Sequence, residues 1–236
     1  MDKAAVIRQI ILITDGHSNR GEDPVSVAYQ ASAAGISVNT IGLLHEGQLG
    51  EKGRQEIERI AQAGEGVWDV VEAQELAQSM QLISRQSSAQ TIEKLVSKQL
   101  NKVLGLNSLA DIPPEKRGKV LQLIEELGEK SYLKCVILLD CSGSMQKKLE
   151  LAKDSVVDLL LSLQGRLGGG EIALVAFPGP RGQMAKVVSG FTSKVEALEE
   201  CLESLRVAGG TPTGPALKQA LDLFEKQECT QSSMIV

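Results

Sequence analysis

Short apolar runs closed by turn residues alternate with segments whose apolar residues recur at helical spacing, and this rhythm restricts the chain more than any other feature. Six runs read as strands: "VIRQIILITDG", "ISVNTIGLL", "GVWDVV", "LKCVILLD", "EIALVAF" and "AKVVSGF". Between them lie "DPVSVAYQASAAG", "KGRQEIERIAQAG", "KLELAKDSVVDLLLSLQGRL", "KVEALEECLESLRV" and "ALKQALDLFEK". Asp23 and Pro24 form an N-cap and first-turn pair, Gly35 and Gly64 stand where helices stop, and Ile57, Ile60 and Ala61 share one helical face. Strands that are apolar throughout and separated by helices must be covered on both faces. The expected fold is α/β, a doubly wound, mostly parallel six-stranded sheet flanked by helices.

The middle of the chain departs from this rhythm. From about Glu72 to Gly105 the pattern is helical, with Ile92, Leu95, Val96, Leu100, Val103 and Leu104 close to one stripe. A break in "LADIPPEKRGKVLQLIEELGEK" precedes a second amphipathic helix ending near Gly128. This region reads as a helical connector whose apolar face packs on the main domain, in preference to docking a partner.

Hydrophobic residues at 42% and charged residues at 23% of 236 are those of a soluble globular chain. Nothing approaches the roughly 18 uninterrupted apolar residues of a membrane span, and Asp15 closes the first apolar run without a cleavage site, so it reads as a strand and not a signal peptide. A net charge of -5, with three Phe, two Tyr and one Trp, argues against a nucleic-acid groove. Cys135, Cys141, Cys201 and Cys229 form no CxxC pair, which points to a reducing, cytoplasmic setting. "GRLGGGEIA" lacks the Lys and Ser/Thr of a P-loop, and no G-x-S-x-G elbow occurs.

In an open parallel sheet, ligands bind beyond the carboxyl ends of the strands. Asp15 and Asp140 both stand at such ends, and "DCSGS" adds Ser142 and Ser144. Two carboxylates and two hydroxyls are hard oxygen donors of low total charge, which suit Mg²⁺ or Mn²⁺. The loop "GGTPTG" offers Thr211 or Thr213 as a further donor. Taken alone, Asp140, Ser142 and Ser144 could merely cap the next helix; joined with Asp15 and the threonine loop, they favour a metal. His17 and His45 read as surface residues, and Cys141 as small packing.

This constellation resembles the von Willebrand factor A family and its metal-ion-dependent adhesion site, in which one loop carries D-x-S-x-S, a second a threonine and a third an aspartate, commonly in T-D-G. Here those positions fall on Asp140, Ser142 and Ser144, on Thr211, and on Asp15. The order differs, because the T-D-G strand opens the chain. The resemblance therefore implies a circularly permuted domain: residues 1–84 as its C-terminal half, 85–131 as the connector and 132–236 as its N-terminal half. Closure within one chain is preferred over exchange of halves between chains in a swapped dimer.

The resemblance further implies a cytoplasmic, non-enzymatic adaptor or scaffold. In such a protein Mg²⁺ or Mn²⁺ on the cluster accepts an Asp or Glu of a protein partner, with no nucleic acid and no membrane insertion. A structural protein that assembles through its connector helices is the alternative, and a metal-dependent hydrolase a second. The permuted order and "PPEKRG" also resemble a small group of intracellular proteins of endospore-forming bacteria, encoded among sporulation genes.

Overall fold

A computed structural model of the chain describes residues 5–44, 49–104 and 112–233. His45, the part of the expected break before Ile112 and the apolar end of the tail at 234–236 lie outside the described residues, as do the side chains of Leu100, Val103, Leu104 and Cys229.

The six expected strands are β1 (Val6–Thr14), β2 (Ser37–Leu43), β3 (Glu65–Val71), β4 (Tyr132–Asp140), β5 (Gly170–Phe177) and β6 (Lys186–Thr192). They form one sheet in the order β3-β2-β1-β4-β5-β6. All neighbours are parallel except β5 and β6. At its centre β1 pairs with β4 from Val6–Tyr132 to Ile13–Leu139, so strands more than 120 residues apart in the chain share one hydrogen-bonded ladder.

Among the described residues seven α-helices flank the sheet: α1 (Pro24–Ala33), α2 (Glu51–Ala63), α3 (Leu76–Leu104), α4 (Pro114–Lys130), α5 (Leu149–Gln164), α6 (Val195–Glu203) and α7 (Thr213–Ser233). The period-2 geometry of the central strands sends Ile11, Ile13, Ile137 and Leu139 to one face, where they pack with α3, α4, α5 and α6. Ile10, Leu12, Val136 and Leu138 go to the other, under α1, α2 and α7. Each fully buried aliphatic side chain stabilises the fold by about 1.5–3 kcal/mol.

Local signals explain the helix boundaries. The Asp23 carboxylate accepts hydrogen bonds from the backbone N–H of Val25 and Ser26, and Pro24 opens α1. Ile57, Ile60 and Ala61 are the buried face of α2, which stops at Gly64.

Helix α3 differs from its expected apolar stripe. Ile92 is buried and Val96 half-buried, but Leu95 is 52% exposed. The buried face carries Leu76, Met80 and Ile83 earlier in the helix, interleaved with Ser79, Ser84, Ser87 and Ser88. The reason lies beneath it: β1 presents Gln9, whose amide donates to Ser84 O and to Ser88 Oγ at 2.8 Å, and Ser37 Oγ meets Ser87 Oγ at 2.9 Å. A buried amide needs partners, and small hydroxyl side chains supply them while letting the helix approach closely. This network and the contacts of α3 with α5 hold it on the domain, and α3 runs unbroken across residues 84 and 85.

Candidate metal centre

Parallel pairing puts the carboxyl ends of β1 and β4 side by side, so Thr14 and Asp15 emerge next to Asp140. After Asp140 the chain makes a short 3-10 turn, Gly143–Lys147, before α5 begins. That turn brings both serines back toward the end of β1. Ser144 Oγ donates to Asp15 Oδ1 at 2.6 Å, and the two serine hydroxyls lie 3.1 Å apart. Asp140 is fully buried; its Oδ1 accepts from the backbone N–H of Ser142 at 2.7 Å and its Oδ2 from the Thr14 hydroxyl at 2.6 Å. Four of the five expected donors thus sit in one hydrogen-bonded cluster.

Thr211 is buried on the loop before α7, and this loop is tied to the one that follows Asp15. Asn19 N–H donates to Thr211 O at 3.1 Å, and Thr211 N–H donates to Asn19 Oδ1 at 2.9 Å. Two glycines permit that approach. A Cβ at Gly210 would meet Asn19 Oδ1 at 2.7 Å, and one at Gly214 would lie within bonding range of Glu22 O. Thr213, the competing donor, is buried as the first residue of α7. His17 is exposed, and Cys141 is buried in the core with its thiol pushed up to about 12, chiefly by burial.

Three residues outside the expected set shape the site. Thr14 orients Asp140. Glu56 Oε1 accepts from the Ser18 backbone N–H at 2.7 Å and pins the loop after Asp15; burial raises the Glu56 carboxyl above its usual range. Lys148 is the third: its side chain is 7% exposed and its ammonium lies 2.5 Å from Asp15 Oδ2. The T of T-D-G was the available signal for Thr14. Glu56 and Lys148 lie in charged helical sequence that reads as a solvated face.

The electrostatics of the two carboxylates differ. Burial, outweighing the hydrogen bonds from Thr14 and Ser142, pushes Asp140 up to about 6. Its partners are neutral donors, so the charged form is short of a cation. Asp15 has one in Lys148.

The cluster fits a hard divalent ion by the chemistry of its donors, which are all oxygen, and by its access: Ser144 and Gly143 are exposed, and a Cβ at Gly143 would meet nothing within 4 Å. Among the described residues no group of three or more His, Cys, Asp and Glu could hold a metal, so soft or carboxylate-rich sites are not the pattern here. No helix among them is long and apolar enough to cross a membrane.

Comparisons with known proteins agree with this architecture. Two sequence profiles of the von Willebrand factor type A domain match, one over residues 135–236 and one over 2–97. The uncharacterized protein YabS of Bacillus subtilis (strain 168) is 41% identical over 221 residues, 93% of this chain and 90% of that protein. The crystal structure of an uncharacterized protein from Alicyclobacillus acidocaldarius subsp. acidocaldarius DSM 446 superposes with a TM-score of 0.87 at 39% identity, covering 95% of this chain and 96% of that one. With its six-stranded sheet, its strand-end oxygen cluster and matches to both ends of the sequence, the chain belongs to the von Willebrand factor type A family.

Proposed function

We propose that the protein is a metal-dependent protein-binding module, an adaptor or scaffold without catalytic activity. In this reading Asp140, Ser142, Ser144, Asp15 and Thr211 hold Mg²⁺ or Mn²⁺. The observation that carries it is the convergence of two strand-end carboxylates and two serine hydroxyls at hydrogen-bond distance beside a solvent-facing loop.

A bound divalent ion would supply a Lewis-acidic contact for a carboxylate of a partner. The chain's own residues prepare that contact. Thr14 and the Ser142 backbone fix the Asp140 carboxylate, Ser144 links the two aspartates, and Asn19 keeps the threonine loop in register with the loop after Asp15. Exposed Ser144 and Gly143 leave room for an Asp or Glu side chain to approach. The Ser142 and Ser144 hydroxyls hydrogen-bond to each other and Ser144 also donates to Asp15, and among the described residues no histidine is bonded to them as a base, which supports binding over hydrolysis.

We further read the domain as circularly permuted, with residues 1–84 and 132–236 as its complementary halves and 85–131 joining them within one cytoplasmic chain. Support comes from the two separate profile matches and the β1–β4 ladder that joins the halves. A second reading, assembly through the connector, draws on Leu121 and Leu123 of α4, each 48% exposed. A mass that rises with concentration in light scattering, and falls on Leu121→Glu with Leu123→Glu, would favour it.

The metal reading is tested by crystals grown with Mn²⁺. Anomalous density bonded to Ser142 Oγ and Ser144 Oγ is the expected result; density elsewhere, or none at millimolar Mn²⁺, overturns it.

A further inference from the structure

Lys148 is the N-cap residue of α5, where the positive end of the helix dipole disfavours a cation. It is nevertheless 5% exposed overall, and its side chain turns back from the helix to Asp15. The carboxylate it faces has a fully buried side chain, and the other oxygen of that carboxylate receives Ser144 Oγ, one of the hydroxyls proposed to hold the divalent ion. A long amphipathic side chain at a helix start ordinarily extends to water, and burying its head costs free energy unless a charge meets it. The site therefore already contains one positive charge, attached to the protein by the lysine stem.

We infer that Lys148 is a tethered counter-cation that sets the affinity of the site for divalent ions, resting on the metal-binding reading above. With Asp15 and Asp140 ionised, Lys148 leaves the cluster one negative charge instead of two. The site then stays ordered without metal, because Asp15 is neutralised in place. It also attracts a dication weakly, since like charges a few ångströms apart repel strongly in a partly buried setting. An entering ion must either displace the ammonium from Asp15 or share that carboxylate with it. In the shared case ion and lysine together exceed the charge of the two aspartates, and a carboxylate from an acidic partner restores the balance. Lys148 thereby couples metal retention to partner binding: the lone ion is held weakly, and ion with carboxylate is held well.

The test is calorimetric titration of the EDTA-treated full chain with Mn²⁺, for wild type, Lys148→Met and Lys148→Arg, with circular dichroism to check folding. Lys148→Met, which keeps the apolar stem and removes the charge, is expected to lower the Kd for Mn²⁺ by about tenfold or more, the scale of one neighbouring unit charge. Lys148→Arg is expected to stay within about threefold of wild type. The metal-free melting temperature of Lys148→Met is expected to fall and to be regained with Mn²⁺. Should Lys148→Met not fold without metal, Lys148→Gln, which keeps a donor toward Asp15, takes its place in the titration. A folded neutral variant whose Kd equals or exceeds that of wild type overturns the inference while leaving the metal reading intact. If neither wild type nor any Lys148 variant binds Mn²⁺, the metal reading falls and this inference with it.

Discussion

The ends of β4 and β1 present the same chemical group in two different surroundings. At the end of β4, Asp140 is fully buried among neutral donors, and burial has pushed its carboxyl up to about 6. At the end of β1, the equally buried side chain of Asp15 is met by the Lys148 ammonium. A carboxylate held ready without a cation is a place for one to be added, whereas a carboxylate already paired is a structural anchor. On the proposed metal reading, the difference assigns the greater share of metal attraction to Asp140 and the greater share of metal-free stability to Asp15.

The same substitution at both ends should break this symmetry most clearly. Asp15→Asn leaves a buried ammonium without its charge partner, and urea unfolding in EDTA should show a loss of about 3–5 kcal/mol. Asp140→Asn removes a desolvated charge and keeps an acceptor for the Ser142 N–H, while the Thr14 hydroxyl can reverse its role; metal-free stability should hold or rise at neutral pH. Equal losses in the two variants would show that the two ends are alike.

Acidity should act through Asp140 with opposite signs on the two states. Its folded carboxyl titrates near 6, above its ordinary 3.8, so folding favours the protonated form. Its contribution to metal-free stability is therefore full below pH 3.8 and lost as pH rises through about 6, with a slope of up to about 1.4 kcal/mol per unit, read as the difference between wild type and Asp140→Asn. Metal requires the carboxylate, so Mn²⁺ affinity should weaken by up to about tenfold per unit as pH falls below 6. Affinity flat from pH 7 to 5 would remove Asp140 from the ion's surroundings. The smallest effect should come from Thr14→Val, which deletes one hydrogen bond to Asp140 Oδ2 and should cost about 1 kcal/mol in stability with a few-fold loss of Mn²⁺ affinity.

Much of the architecture was legible because the strands are apolar on both faces and their ends carry the chemistry. "VILLD" and "IILITD" run into Asp140 and Asp15, and parallel pairing of neighbouring strands brings two such ends together without further information. The cross-links between loops were not legible. Asn19 meets Thr211 across most of the chain, and nothing near either residue signals the other. Lys148 belongs to a "KK" at a helix start, a pattern that normally faces water; only the 3-10 turn at Gly143–Lys147 turns it inward. The serines of α3 were hidden for a related reason. Their burial follows from Gln9, a polar residue inside an apolar strand, whose demand for partners appears only when the helix is laid over it.

The measurement that bears most directly on the oxygen cluster as a metal site is thermal unfolding over a range of Mn²⁺ concentrations, for wild type beside Asp140→Ala. An ion that binds the folded chain alone raises its stability with concentration as RT ln(1 + [L]/Kd), so a site of millimolar Kd already adds about 1.4 kcal/mol at ten times that concentration. The account predicts a midpoint that climbs with Mn²⁺ in wild type and stays fixed in Asp140→Ala. A midpoint that climbs equally in both proteins would place the ion elsewhere and contradict it.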